Sequence, residues 1–215
     1  VASAFACVRL DRSSSFFHAP LWHPRIPLKI SFVMLRLVLG RLSFPDILCR
    51  MGFQMMPSKC LCCPEGETGT VEHTFFEGQV AKDVWNYFTS MCGLTHGGSS
   101  LRARIAAWWM SPPRSAHKRI IFSLMPSFIC WHIWKARNAS MFDGTRMHPT
   151  TICQAVFSDI KAGVEIHFNM TLGLFSFPQL YEWSGRQNSL ITFQLVRWKA
   201  RELGCLTLNT DGCSK

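Results

Sequence analysis

The sequence predicts a mainly α-helical chain: a small helical domain holding a cysteine knuckle, a helical region after it, and a β-strand stub at the C-terminus. Three observations carry this. Apolar residues recur three and four positions apart through most of the chain, which is the period of a helix face. Clusters of Pro, Gly and Ser cut those runs into separate segments. The strand period, apolar alternating with polar, is confined to Leu206-Thr207-Leu208-Asn209.

In chain order, residues 1–27 are punctuated by Ser and Pro and predict little regular structure, with 1–17 a loose N-terminal segment. Over Leu28–Leu42 the spacing predicts a helix with Leu28, Phe32, Leu35, Leu39 and Leu42 on the buried stripe and Lys29 and Arg36 off it. Pro45-Asp46 opens a second short helix, with Ile47, Leu48 and Met51 inward and Gly52 as the stop. A loop rich in Cys, Pro and Gly covers 54–72. Gln79–Met91 predicts a helix whose inner face is Val80, Val84, Phe88 and Met91, followed by a flexible Gly93–Ser100 linker. Leu101–Met110 is helical up to Pro112-Pro113, and Ser115–Asn138 is a long apolar helix with a kink expected near Pro126. After a turn at Asp143-Gly144, Thr150–Phe168 carries Ile152, Val156, Ile160 and Val164 at every fourth position. Residues 173–191 read as irregular, and Phe193–Arg201 fits helix or strand equally. The expected division is 1–17, a domain over 18–95, a helical linker region over 96–204, and a truncated further domain over 205–215.

Composition narrows the class. Of 215 residues, 48% are hydrophobic and 17% charged, the reverse of the balance that keeps a chain disordered. Lys and Arg total 23 against 13 acids, a net charge of +10, which favours a polyanionic partner. Ten Cys in a chain this long do not make a small disulfide scaffold, and Val1–Arg9 lacks the basic and apolar regions of a secretion signal. The expected setting is intracellular, nucleus or cytoplasm, with free thiols. The apolar runs Ser31–Leu39 and Ile120–Trp134 are shorter than the ~20 residues a membrane span needs, so they read as core helices and no membrane partner is expected. A start at Val1 and an end at Lys215 read as a piece of a longer chain.

Charge is unevenly placed. Arg12 to Pro45 holds five bases and no acid, and Val84 to Phe142 holds seven bases and no acid. Between them, residues 65–83 hold Glu65, Glu67, Glu72, Glu77 and Asp83 with the single base Lys82. The two basic blocks nominate Arg25, Lys29, Arg36 and Arg41, then Arg102, Arg104, Arg114, Lys118 and Arg119, as contacts to the phosphates of RNA, DNA or their hybrid. Trp108 or Trp109 is the stacking candidate, against the plainer reading that both are core.

The sharpest local pattern is Cys60-Leu61-Cys62-Cys63 with His73 ten residues on. Zinc takes four nitrogen or sulfur donors in a tetrahedron. Cys60 and Cys63 supply two thiolates from one turn, and His73 supplies an imidazole. No Cys or His follows until Cys92, and position 78, where a fourth donor belongs, is Gly. A Cys-rich loop without metal is the alternative.

Several motifs in order resemble the zinc-binding domain that follows plant non-LTR reverse transcriptases. Trp22-His23-Pro24-Arg25-Ile26-Pro27-Leu28-Lys29 through Phe32 is similar to its opening, Arg41-Leu42-Ser43-Phe44-Pro45 to its next step, and Arg50-Met51-Gly52-Phe53 to its third. Glu72-His73-Thr74-Phe75-Phe76-Glu77 and Ala81-Lys82-Asp83-Val84-Trp85 resemble its histidine stretch and following helix. Ile129 to Asn138 with Met141-Phe142-Asp143-Gly144 looks like the segment before a ribonuclease H domain, and Leu208–Lys215 like the first strand of that domain. The resemblance implies zinc on Cys60, Cys63 and His73, with Gly78 where the family has its fourth ligand. It also makes Asp211 the first of several ribonuclease H carboxylates. One carboxylate cannot hold two metals, so no catalytic residue and no enzyme activity are expected.

The function these readings imply is a non-catalytic piece of a retrotransposon reverse transcriptase polyprotein, a nucleic-acid-binding accessory module with a degraded zinc site. Its rivals are an inert remnant of a decayed element, a residual ribonuclease H, and a protein–protein adaptor using the apolar helix at 120–134.

Overall fold

The computed structural model describes residues 17–50, 52, 59–63, 67–94 and 98–186. Among these the chain is mainly α-helical, and its only extended pairing is a single bridge between Lys59 and Thr68. The expected strand stub at 205–215 and the segment 193–201 lie outside the described residues.

A one-turn helix α1 (His18–Leu21) leads into α2 (Leu28–Val38). Helix α2 stops four residues before the expected Leu42. Gly40 adopts φ +64°, its N–H bonds the Leu37 carbonyl at 3.0 Å, and the Arg41 N–H bonds the Arg36 carbonyl at 2.7 Å. That pair of bonds is the left-handed glycine stop of a helix. The buried face of α2 also differs from expectation. Ile30, Met34, Leu37 and Val38 face the core, whereas Leu28, Phe32 and Leu39 are exposed. Both stripes have helical spacing, because α2 is apolar nearly all round, and packing against neighbours selected one of them.

The short α3 (Pro45–Arg50) follows as expected. Then α4 (Gln79–Cys92) turns Val84, Trp85 and Phe88 inward, and Met91 is exposed. Helix α5 (Leu101–Met110) starts at Ser100, whose hydroxyl accepts the Ala103 N–H at 3.3 Å. The long α6 (Ala116–Phe142) stays helical through Pro126, and α7 (Pro149–Phe168) packs along it with Ile152, Val156, Ile160 and Val164 all buried. Pro126 removes one helix hydrogen bond, and the burial of Leu124, Met125, Phe128 and Ile129 around it holds the helix together. Residues 173–191 are not all irregular: 177–186 form α8 (Phe177–Arg186). At its start the Gln179 amide oxygen accepts both the Ser176 N–H at 2.7 Å and the Ser176 hydroxyl at 2.9 Å. Phe177, Leu180 and Ser184 then share its buried face.

Helix α6 is the hub. It packs against α2, α5, α7 and α8, and α4 closes over α7 and α8. One hydrophobic core runs from Leu21 through Trp85, Trp108 and Ile129 to Leu180, drawing on both the 18–95 and the 96–186 parts of the chain. No helix among the described residues is long and apolar enough to cross a membrane.

Candidate metal centre

The Cys60 side of the site is built by two short strands of backbone. Lys59 and Thr68 pair antiparallel, and the Cys60 N–H bonds the Glu67 carbonyl at 2.6 Å. Bends at Leu61, Cys62 and Cys63 bring Cys60 and Cys63 towards one another. A second anchor comes from α6, where the Ser140 hydroxyl donates to the Leu61 carbonyl at 2.9 Å.

The other side is a π-turn over His73–Glu77, in which the Gly78 N–H bonds the His73 carbonyl five residues back at 2.7 Å. Such wide turns recur at functional sites. Here it brings residue 78 back beside the His73 ring. Trp85 holds the turn in place: its indole N–H donates to the Phe75 carbonyl at 2.8 Å from a fully buried position on α4. Phe75 stacks on Trp134 of α6 with ring centres 6.4 Å apart.

Cys60, Cys63 and His73 are all buried, and one ligand atom from each lies within 4.8 Å of the others. Among the described residues no other group of His, Cys or acids meets that condition. His73 Nδ1 lies 2.7 Å from Glu67 Oε2, whereas His73 Nε2 is buried with no hydrogen-bond partner. A carboxylate on one imidazole nitrogen and a free lone pair on the other is the arrangement of a metal-bound histidine. A buried nitrogen without a partner is costly unless something binds it. Two thiols and an imidazole at this separation are the donor set zinc prefers, so the residues fit the ion.

The electrostatics agree. The Cys60 thiol is pulled down to about 4, chiefly by a hydrogen bond from Cys62, with the amides of Cys63 and Cys62 and the His73 ring assisting against burial. Burial pushes Cys63 up, opposed by the amides of Val80 and Gln79 at the start of α4. A divalent cation reverses that second effect, because a coordinating thiol is deprotonated outright. Cys62 is raised, first by its hydrogen bond to Cys60, and stays outside the three-atom group.

Gly78 stands at the open corner. A Cβ built there would lie 3.0 Å from His73 Nε2 and 3.1 Å from Cys63 Sγ, between two of the three donors. It would also lie 2.7 Å from the His73 carbonyl, so a side chain at 78 requires the turn to shift.

The basic residues singled out by the sequence are spread over α2, α5 and the start of α6. Lys29, Arg36, Arg41, Arg102, Arg114 and Arg119 are exposed. Arg25 is half-buried near His23 and His167, and Lys118 is half-buried with its ammonium 3.8 Å from the Tyr181 ring centre. Arg104 lies over Phe76 at 4.6 Å with Nε and Nη1 buried and unpartnered. Trp108 and Trp109 are buried in the core, which removes both as stacking candidates. Trp131 is the better-placed ring. It is half-buried, with Lys29 Nζ 5.6 Å and Lys135 Nζ 5.9 Å from its centre. Glu67 and Lys135 are therefore two residues that sequence reasoning does not single out. An acid between a C-x2-C and its histidine is the available signal for the first. Asp211 lies outside the described residues.

Comparison with known proteins agrees with this centre. The family model described as zinc-binding in reverse transcriptase matches residues 1–85, ending on the helix that carries Trp85. That match includes Cys60, Cys63, His73 and Gly78 and stops short of α5 to α8. The matched family is an accessory zinc-binding element rather than a catalytic one. No curated protein and no solved structure gives a significant match to the chain.

Proposed function

We propose that this chain is the zinc-binding accessory module of a non-LTR retrotransposon reverse transcriptase, of the plant type, and that it holds nucleic acid without cutting it. The observation that carries the reading is the buried, unpartnered His73 Nε2 facing two buried thiols within a segment similar to the reverse transcriptase zinc-binding family. Zinc there would be structural: it would tie the Lys59–Thr68 pairing to the π-turn and so fix the start of α4 against α6. The chain's own groups set the stage for it. Glu67 orients the imidazole, and the amides of Cys62, Cys63, Gln79 and Val80 favour thiolate at the two sulfurs.

The basic blocks support an RNA, DNA or hybrid partner, with Lys29 and Lys135 both beside the Trp131 ring as a concentrated group. Binding through phosphates is salt-steep and indifferent to sequence. The test is a filter-binding titration of the purified chain against single strands, duplex and hybrid at several salt concentrations. Removing Lys29 and Lys135 together lowers the salt slope by about two, roughly one per phosphate contact. No affinity for any of the three at low salt overturns the nucleic-acid half of the reading.

Gly78 favours one rival specifically, a remnant whose site has decayed. Zinc content distinguishes the two: about one equivalent per chain supports the module, and none supports the remnant.

A further inference from the structure

We propose that a cavity between α4, α7 and α8 is a binding site for an organic ammonium group, carried by a free amine or by a lysine side chain. The site lies apart from the metal centre and rests on neither the zinc nor the nucleic-acid reading.

The cavity holds about 600 Å³. Sites for small molecules run from about 300 to 1,000 Å³. Three rings line it from three helices: Tyr87 of α4, Phe157 of α7 and Phe177 of α8. Phe177 is buried at the middle of the set, with the Tyr87 and Phe157 ring centres 6.3 Å and 6.1 Å from its own. Phe157 stands edge-on to it at 78° and Tyr87 is tilted by 44°, so the aromatic walls meet at angles rather than lying flat on one another. Asp83, one turn before Tyr87 on α4, lines the same cavity. Its Oδ1 accepts the Gln79 side-chain N–H at 2.7 Å, a bond that leaves Oδ2 available. The carboxylate is felt at the buried Cys153 on the cavity wall. Burial, and then the Asp83 charge, push that thiol up to about 11.

Charge and surface together select the ligand. Among the described residues lining the cavity, Asp83 is the one acid and none is Lys or Arg, in a chain of net charge +10. A carboxylate attracts a cation, and so do the faces of aromatic rings. An ammonium with carbon substituents answers both, because its carbons lie on Phe157 and Phe177 while its charge meets Asp83. A bare metal ion does not, since hard cations require several oxygen ligands. The starts of α7 and α8 at the cavity would favour an anion if their amides were free. Pro149 and Pro178 have no N–H to offer. The Thr150 N–H is turned to His148 Nδ1 at 3.4 Å, and the Ser176 N–H to Gln179 Oε1 at 2.7 Å. The carboxylate therefore sets the sign of the site. Binding is reversible, and no covalent bond forms or breaks.

Choline is the probe, and the full chain is the protein tested. Saturation-transfer NMR on the choline methyl resonance gives the affinity, and the ring resonances of the chain's two tyrosines give the place. Choline is expected to bind saturably and about tenfold more tightly than 3,3-dimethylbutanol, its uncharged isostere. The Tyr87 resonance moves and that of Tyr181 does not. Asp83→Asn and Tyr87→Leu each weaken choline binding several-fold, whereas Tyr87→Phe, which keeps the ring, binds like wild type. If Asp83→Asn or Tyr87→Leu does not fold, the wild-type comparison of choline with its isostere decides the matter. In a second arm Nα-acetyl-lysine amide replaces choline, and tighter binding there keeps the site and gives its ammonium source as a peptide side chain. Equal binding of choline and the isostere overturns the proposal, because the cavity would then be selecting carbon and not charge. Tighter binding of acetate than of choline, no saturable choline binding, or a shift at Tyr181 in place of Tyr87 overturns it as well.

Discussion

His73 and His132 are both buried, and each has a carboxylate oxygen 2.7 Å from one ring nitrogen, Glu67 in the first case and Asp159 in the second. They belong to regions held together in different ways. His132 lies on α6 and Asp159 on α7, so that pair fastens two long helices whose contact already buries Leu124, Ile129, Val156 and Ile160. His73 lies on a single π-turn between the Lys59–Thr68 pairing and the start of α4, fastened to the core through Phe75 and Trp85. Its second nitrogen faces Cys60 and Cys63, whereas His132 joins no group of potential metal ligands among the described residues. The histidine–carboxylate pair is the same in both places. What the other face of the ring meets decides whether the pair is a clasp between helices or half of a metal site.

The largest expected effect separates the two histidines directly. His73→Ala lowers zinc from about one equivalent per chain to near zero, because two thiolates alone hold the ion weakly. His132→Ala leaves zinc content unchanged and lowers the melting temperature. Metal analysis of the dialysed proteins beside a thermal melt reads both. Equal zinc loss in the two variants would erase the distinction between the regions.

Next comes the region built on burial. Leu124→Ala, at a fully buried position on α6, is expected to cost about 2–5 kcal/mol in denaturant unfolding while zinc content stays the same. Chelation in wild type should act in the opposite place. Amide exchange rises over 59–63 and 67–78 more than over α6 and α7, because metal-binding free energy is folding free energy for the segments that carry the ligands. Uniform exchange across both regions on chelation would show that they do not differ in this way.

A smaller effect tests the carboxylates. Glu67→Gln keeps the shape and removes the charge that orients His73. Zinc affinity should weaken by about 10–100-fold, as for other residues that support a metal-bound histidine. Asp159→Asn should leave affinity unchanged. A competition titration with a chromophoric chelator measures both.

How far these features can be read from the sequence follows from what each depends on. Cys60, Cys63 and His73 stand out because their residue types are chemically distinctive and their spacing suits one turn. Gly78 stands out as the gap in the same pattern, and its Cβ direction lies between two of the donors. Glu67 does not, since any of the nearby acids has an equal claim until the Cys60–Glu67 backbone bond draws that one alongside His73. The helices α4 to α7 are legible because one face of each is distinctly apolar or its ends are marked by Ser, Gly or Pro. The inner face of α2 is not, because Leu28, Phe32 and Leu39 match Ile30, Met34 and Leu37 in both period and hydropathy. Helix α8 is obscured by Gly173 and Pro178, although Ser176 and Gln179 form a cap at the proper spacing. Which tryptophans are core and which lie beside lysines is a tertiary outcome: Trp108 and Trp109 go inside, and Trp131 stays half-open.

Acid provides the finest comparison, because it acts on both regions by different chemistry. Four histidines away from the metal centre have folded-state pKa values below the ordinary 6.5: His132 by burial, with its Asp159 bond opposing, and His23, His117 and His167 by burial and then by neighbouring cationic groups. The charges that act on those three come from each other and from Arg25. Between the lowered value and 6.5 the unfolded chain binds protons that the folded chain refuses, so stability rises with pH through that window. It is fully present above 6.5 and is lost as the pH falls below it. At the metal centre, acid instead competes for the two sulfurs and the imidazole and releases the ion. Thermal melts from pH 7.5 to 5.5 with and without chelator separate the two. The chelated protein should still lose stability below about 6.5, and His132→Gln should lessen the loss. Were the chelated protein indifferent to pH across that range, the helical region would owe nothing to its buried imidazoles, and all acid sensitivity would belong to the thiolates.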